Sequence, residues 1–118
     1  MKKVFHLSTC STCKRILNEV DLPDGFELQD IKKEALTENQ LNQLKKLSGS
    51  YESLFNRRAQ LYRKRDLKNQ NLTEKDYKDL LLEHYTFLKR PVFVIDEQIF
   101  VGNAKKNIEN LKQFLAEQ

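Results

Sequence analysis

Cys10 and Cys13 are the two cysteines of the chain, three positions apart in the stretch Phe5-His6-Leu7-Ser8-Thr9-Cys10-Ser11-Thr12-Cys13-Lys14-Arg15. A dithiol at this spacing can close into a disulfide and reopen, and its chemistry runs through the thiolate. A free cysteine with its ordinary pKa is only about 3% thiolate at neutral pH, whereas one brought to about 6.5 is mostly thiolate. A helix N-terminus supplies that shift, because its first turn carries unpaired N–H groups and the positive end of the dipole. A zinc site would need two further ligands, and only His6 and His84 remain as histidines, so no metal site is expected.

The elements around the two thiols fit such a position. Lys3 to Leu7 reads as a short buried strand, and Cys13 to about Val20 as a helix with Ile16, Leu17 and Val20 on one side. Pro23 and Gly25 mark a turn, and Phe26 to Ile31 alternates like a half-buried strand. Two strands joined by a helix-sized crossover make a parallel β-α-β unit. From Thr37 to about Tyr85 the pattern is helical without a convincing strand. Thr37-Glu38-Asn39-Gln40 and Thr73-Glu74-Lys75-Asp76 are capping signals, and Ser50 is placed to cap a short helix through Phe55. Leu41, Leu44, Leu80 and Leu81 read as core, as do Phe114 and Leu115. Arg90-Pro91-Val92-Phe93-Val94-Ile95 restarts a strand signal, Asp96-Glu97-Gln98 reads as a hairpin turn, and Ile99-Phe100-Val101 follows. Asn103 is placed to cap a last helix carrying Ile108, Leu111, Phe114 and Leu115.

The expected architecture is therefore α/β: β-α-β, a helical block, then β-β-α, with a mixed four-stranded sheet. The organisation read from it is a single domain, 1–118, with halves 1–34 and 88–118 around an all-helical insertion, 35–87. At 118 residues the chain can bury one core without staples. Met1-Lys2-Lys3 is followed by too few apolar residues for a secretory signal, and no stretch is long and apolar enough to span a bilayer, so the expected compartment is the cytoplasm. In that compartment a C-x-x-C reads as catalytic or redox-sensing rather than as a structural staple. The net charge of +4, from 21 basic and 17 acidic side chains, does not argue for nucleic acid.

C-x-x-C after the first strand, with a proline opening the third, resembles the thioredoxin/glutaredoxin fold. The helical block, Cys10-Ser11-Thr12-Cys13, Asn56-Arg57-Arg58, Arg90-Pro91-Val92-Phe93-Val94-Ile95 and Val101-Gly102-Asn103 together resemble the arsenate reductase/Spx family of ArsC-like proteins over nearly the whole chain. The resemblance implies that Cys10 is the nucleophile and that His6, at H-x-x-x-C spacing, lies near it. It implies that Arg58 and Arg90 receive an oxyanion or a glutathione carboxylate, with Ser11, Thr12 and Pro91 completing the substrate site. Guanidinium groups suit that role, since they favour a thiolate and bind tetrahedral anions through paired hydrogen bonds.

Two departures bear on the substrate. Asn103 stands where arsenate reductases of this family carry a third arginine, and Cys13 is a second thiol that they tend to lack. The first weakens arsenate as substrate, and the second suggests an internal resolving thiol. The expected activity is thiol-disulfide oxidoreduction on a disulfide, a glutathionylated substrate or an oxyanion, with no bound cofactor and with glutathione or thioredoxin as reductant. The alternative is an Spx-like redox-switched regulator that binds a protein such as RNA polymerase, with the basic run from Arg57 to Arg65 in its interface. A monomer that binds neither nucleic acid nor membrane is expected in both cases.

Overall fold

The computed structural model describes residues 1–118. In chain order the elements are β1 (Lys2–His6), α1 (Ser11–Glu19), β2 (Glu27–Asp30), α2 (Glu38–Ser48), α3 (Gln60–Lys64), α4 (Glu74–Glu83), β3 (Val92–Ile95), β4 (Gln98–Val101) and α5 (Lys105–Ala116). Three short 3-10 helices, Glu52–Leu54, Leu67–Asn69 and Tyr85–Phe87, join the helices of the middle segment. No helix is long and apolar enough to cross a membrane. The chain forms two compact units, Met1–Glu34 with Arg90–Gln118, and Ala35–Lys89.

The first unit contains a four-stranded sheet in the order β2-β1-β3-β4. β1 pairs parallel with β2, setting Val4 against Leu28 and His6 against Asp30. It pairs antiparallel with β3, setting Val4 against Phe93, and β3 continues antiparallel into β4. This is the mixed four-stranded sheet expected from the sequence. All four residues of the central strand β3 are buried, which is why its sequence is a continuous apolar run rather than an alternation. The β3–β4 hairpin turns through Asp96, whose φ of 55° falls in the left-handed region that aspartate tolerates better than most side chains. The Asp96 N–H donates to the Met1 carbonyl at 2.7 Å, and its carboxylate receives the terminal ammonium at 3.1 Å.

One face of this sheet carries the unit's core. Val4, Phe93 and Ile95 project from alternate strand positions, Ile16 and Val20 come from α1 and the residue after it, and Ile108 and Leu111 come from α5. Each such side chain contributes about 1.5–3 kcal/mol through removal from water. Phe114 and Leu115 pack against the cluster while staying half-buried. The Phe100 and Phe114 rings meet at 5.7 Å, and Lys112 bonds Glu19 at 2.5 Å between α5 and α1. Together these contacts hold α1, and with it the two cysteines, against the sheet.

The second unit is built from helices, as the middle of the sequence predicts, with a β bridge between Phe55 and Leu88. Both capping boxes form in full: Thr37 with Gln40, and Thr73 with Asp76, each by reciprocal side chain to backbone bonds. Gly49 closes α2 at φ 101°, which needs a residue without Cβ. The Ser50 Oγ accepts the Ser53 N–H at 3.1 Å, while the Tyr51 and Glu52 N–H groups donate to the Glu74 carboxylate at 2.8 and 3.0 Å. The N-cap of that 3-10 helix is therefore Tyr51 and not Ser50, and it makes no side-chain cap bond; Ser50 and Glu74 receive the N–H groups of the turn instead. Phe55 organises this unit's core, stacked on Phe87 at 5.2 Å and edge-on to Tyr77 at 5.0 Å. Leu41, Leu44 and Leu81 are buried, while Leu80 is half-buried.

Two local expectations are corrected. α1 begins at Ser11, two residues earlier than the apolar spacing suggested, because the polar pair Ser11-Thr12 already lies in the first helical turn. α5 is capped by Ala104, which makes no side-chain cap bond, and not by Asn103; the Asn107 amide instead donates to the Gly102 carbonyl at 2.9 Å.

Candidate thiol site

Cys10 is delivered to α1 by a turn. Its N–H donates to the Leu7 carbonyl at 3.0 Å, closing Leu7-Ser8-Thr9-Cys10, and its own carbonyl accepts the Lys14 N–H at 3.1 Å as the first bond of the helix. Cys10 is therefore the N-cap residue, extended at φ −91° and ψ 113°, and it has no side-chain cap bond. The first turn contains no acidic side chain that would compete for its N–H groups. Cys10 is half-buried, Cys13 is fully buried, and both are free thiols.

The two thiols are driven in opposite directions. Burial works against a thiolate at Cys10, but the Cys13 N–H and thiol, the Arg90 guanidinium and the Thr12 N–H outweigh it, so its pKa lies below the ordinary thiol value. Burial pushes the Cys13 thiol up to about 11; its bond to Cys10 and the charge there add to the rise, and the Leu7 backbone and Arg90 offset part of it. Charge collects on the outer sulfur, while the inner one keeps its proton.

Arg90 precedes Pro91 through a cis peptide bond at the entrance to β3. Pro91 is buried, and its carbonyl accepts the Gly102 N–H at 2.9 Å, so the Gly102-Asn103 step lies beside it. Asn103 is exposed. Cys10, Cys13, Thr12 and Arg90 thus act on one another, from two elements far apart in sequence. Ser11 is exposed in the first turn of α1. His6 ends β1 half-buried, with its carbonyl accepting the Ile31 N–H at 2.9 Å, and its charge acts on its register partner Asp30. Arg58 belongs to the helical unit; it is exposed, and its N–H donates to Asn56 Oδ1 at 3.0 Å. No group of three or more His, Cys, Asp or Glu side chains is placed to hold a metal ion.

The basic run divides by function. Arg57 pairs with Glu52, bonds the Tyr77 hydroxyl at 3.1 Å and lies over the Tyr77 ring. Arg65 pairs with Glu83 and lies over Phe87. All five are exposed, but Arg57 and Arg65 spend their guanidinium groups on contacts within the helical unit, whereas Arg58, Arg63 and Lys64 form no salt bridge. His84 is also structural: its Nδ1 accepts the Thr86 N–H at 3.2 Å and caps the next turn. Ser8, by contrast, lies within the Cys10 turn and acts on Asp30, and neither residue is singled out by the sequence. The only signal for Asp30 was its position at the end of an alternating strand.

Comparison with known proteins places this geometry among relatives. Residues 5–111 match the ArsC family. A search of curated proteins by similarity gives no match. Among solved structures, a protein from Streptococcus mutans described as a possible arsenate reductase is 28% identical, with a TM-score of 0.74 over 94% of this chain and 97% of that one. An arsenate reductase (ArsC) related protein from Brucella melitensis is 25% identical, with a TM-score of 0.68 over 92% of each chain. An arsenate reductase from Vibrio cholerae is 17% identical, with a TM-score of 0.70 over 97% of this chain and 98% of that one, a likeness of fold alone.

Proposed function

This chain belongs to the ArsC family, with its thioredoxin-like fold, and on that premise we propose that it is a cytoplasmic thiol-dependent oxidoreductase with Cys10 as nucleophile and Cys13 as resolving thiol. The observation that carries the reading is the opposed state of the two sulfurs: an accessible thiol favoured as thiolate at a helix N-cap, and a buried one held protonated beside it.

The Cys10 thiolate attacks one sulfur of a disulfide or glutathionylated substrate. A new S–S bond forms, the old one breaks, and the departing thiolate takes up a proton. The mixed disulfide removes the negative charge from Cys10, and with it one of the influences that keep Cys13 protonated. Cys13 then loses its proton and attacks Cys10, releasing the substrate half as a thiol and leaving an intramolecular disulfide. An external thiol, glutathione or a thioredoxin, returns the two electrons. Arg90 supports this chemistry by favouring the thiolate and by offering a guanidinium to an anionic substrate group. Ser11, Thr12 and Pro91 belong to the same proposal as substrate contacts, and His6 as a neighbour of the thiolate. Asn103, which carries no charge next to the Pro91 segment, favours disulfides and glutathionylated substrates over arsenate.

The test is trapping. Cys10→Ser abolishes turnover, and Cys13→Ser accumulates a mixed disulfide on Cys10 that mass spectrometry detects; turnover by Cys10→Ser contradicts the assignment. A second reading, a redox-switched regulator docking on a protein such as RNA polymerase, is favoured by one observation: Arg58, Arg63 and Lys64 are exposed and, unlike Arg57 and Arg65, form no salt bridge within the fold. Capture of that polymerase by only one redox state of the protein supports it; equal or absent capture rejects it.

A further inference from the structure

We infer that Asn107 is a positioning residue for the thiol site: from the first turn of α5 its side-chain amide clamps the Gly102 step onto Pro91, and so fixes the Arg90-Pro91 segment where the chain enters β3. The inference rests on the reading of Cys10 as the reactive thiol and of Arg90 as the cation that serves it.

Asn107 spends a donor where its helix needs acceptors. The first turn of an α-helix leaves N–H groups without partners, so side chains that serve the helix there are acceptors, and carboxylates suit the positive end of the dipole. α5 has neither. Its N-cap Ala104 makes no side-chain bond, its first turn holds no acidic residue, and its first two positions are Lys105 and Lys106. Asn107, half-buried at the third position, donates its Nδ2 to the Gly102 carbonyl at 2.9 Å. That bond satisfies a backbone acceptor outside the helix.

The Gly102 step passes the restraint on. β4 is an edge strand, paired with β3 alone, and it ends at Val101. Gly102 follows it, buried and at φ 89°, a conformation that glycine adopts without the steric cost of a Cβ. Its N–H donates to the Pro91 carbonyl at 2.9 Å while its own carbonyl receives Asn107. Two hydrogen bonds in series thus run from α5 to Pro91. Ile108, beside Asn107 in the chain, and Leu111 seat α5 in the core of the sheet, so the clamp has a fixed anchor.

The clamped segment is the entrance to β3. β3 starts at Val92, opposite Phe5 of β1, and β1 runs on through His6 into the Leu7–Cys10 turn. Arg90 and Pro91 therefore lie at the end of the sheet from which the Cys10 turn departs. Cys13 and Arg90 are the titratable and charged side chains that act on Cys10, and the Arg90 charge favours the thiolate. Without the Asn107 bond the Gly102 step is released from α5, Pro91 is held less firmly, and Arg90 spends less of its time placed to favour that thiolate.

A purely helical role for Asn107 gives a different result. A carboxylate at the third position suits the α5 dipole but has no donor for the Gly102 carbonyl. Asn107→Asp therefore keeps the helix and breaks the clamp.

The experiment is the pH dependence of Cys10 alkylation by iodoacetamide, read on the Cys10 peptide by mass spectrometry, for wild type, Asn107→Ala, Asn107→Asp, Arg90→Ala and each Asn107 variant combined with Arg90→Ala, all checked for a cooperative thermal transition. The expected result is an upward shift of the midpoint in Asn107→Ala, by up to about one pH unit, the most that one amide–carbonyl bond can bias. Asn107→Asp shifts it the same way while melting no lower than Asn107→Ala. Combined with Arg90→Ala, Asn107→Ala moves the midpoint no further than Arg90→Ala alone. An unmoved midpoint in a folded Asn107→Ala, where Arg90→Ala raises it, overturns the inference, as does a shift that adds in full to that of Arg90→Ala. If Asn107→Ala does not fold, Asn107→Asp decides: an unmoved midpoint, or a rise that persists in full without Arg90 and so reports only the new charge, overturns it. A wild-type midpoint at the ordinary thiol value, or one that Arg90→Ala leaves in place, instead rejects the reading of the site itself, so the two failures are told apart.

Discussion

Removal of the Cys13 sulfur should weaken Cys10 as a nucleophile even before any resolving step. Two of the four influences that lower the Cys10 pKa come from Cys13, its backbone N–H and its thiol. Cys13→Ala keeps the first and deletes the second. A hydrogen bond to a charged acceptor is worth about 1.5–3 kcal/mol, and a thiol is a weak donor, so the loss belongs at about 1.5 kcal/mol. At 1.36 kcal/mol per unit, the Cys10 midpoint rises by about one pH unit. Arg90 and the Thr12 N–H remain, so the midpoint does not climb all the way to that of an isolated buried thiol. Below both midpoints, alkylation of Cys10 slows about tenfold at constant pH. Cys13→Ser retains a donor and slows it less. The assay is iodoacetamide alkylation against pH, with circular dichroism to confirm that a variant at a fully buried position still folds. A Cys13→Ala midpoint indistinguishable from wild type would refute the idea that one thiol activates the other, leaving the helix terminus and Arg90 as the whole cause.

Other consequences are independent of turnover. The Cys13 thiol titrates near 11 in the folded protein against an ordinary 9.0. An unfolded chain therefore gives up that proton first as pH rises, and this contribution to stability is present below about pH 9 and lost as pH passes through 11, roughly 3 kcal/mol in all. Cys13→Ala should lose less stability than wild type over that interval in urea titrations, and parallel losses would contradict the assignment. Leu111 is fully buried in the cluster that seats α5 on the sheet, so Leu111→Ala should cost about 2–5 kcal/mol by denaturant unfolding; less than about 1 kcal/mol would deny it that place. Thr73→Ala removes one capping box and should cost about 1 kcal/mol while leaving Cys10 alkylation unchanged.

What the sequence made legible follows the range of the forces involved. Thr37 and Thr73 announce their helices because a capping box is complete within four residues. Val92 to Ile95 announces a central strand because burial on both faces admits only apolar residues there. The mixed sheet follows from β-α-β and β-β-α patterns read locally. Asn103 misled, because a good capping residue one position too early is no cap, and α5 starts from Ala104 without one. The start of α1 at Ser11 was hidden because Ser11 and Thr12 add nothing to the apolar period. Long-range effects were illegible in kind. Nothing local says that Cys13 is fully buried while Cys10 is not, and their opposite pKa directions depend on that difference and on Arg90, eighty residues away. Asp30 reads as an ordinary polar strand residue until the parallel register sets it against His6 and beside Ser8.

The most direct measurement is the pH midpoint of Cys10 alkylation in wild type and in Arg90→Ala. A wild-type midpoint clearly below the ordinary thiol value, rising when Arg90 is removed, is the result expected of a thiolate poised at the α1 N-cap beside a guanidinium. A midpoint at the ordinary value and indifferent to Arg90 would contradict the assignment of Cys10 as an activated nucleophile.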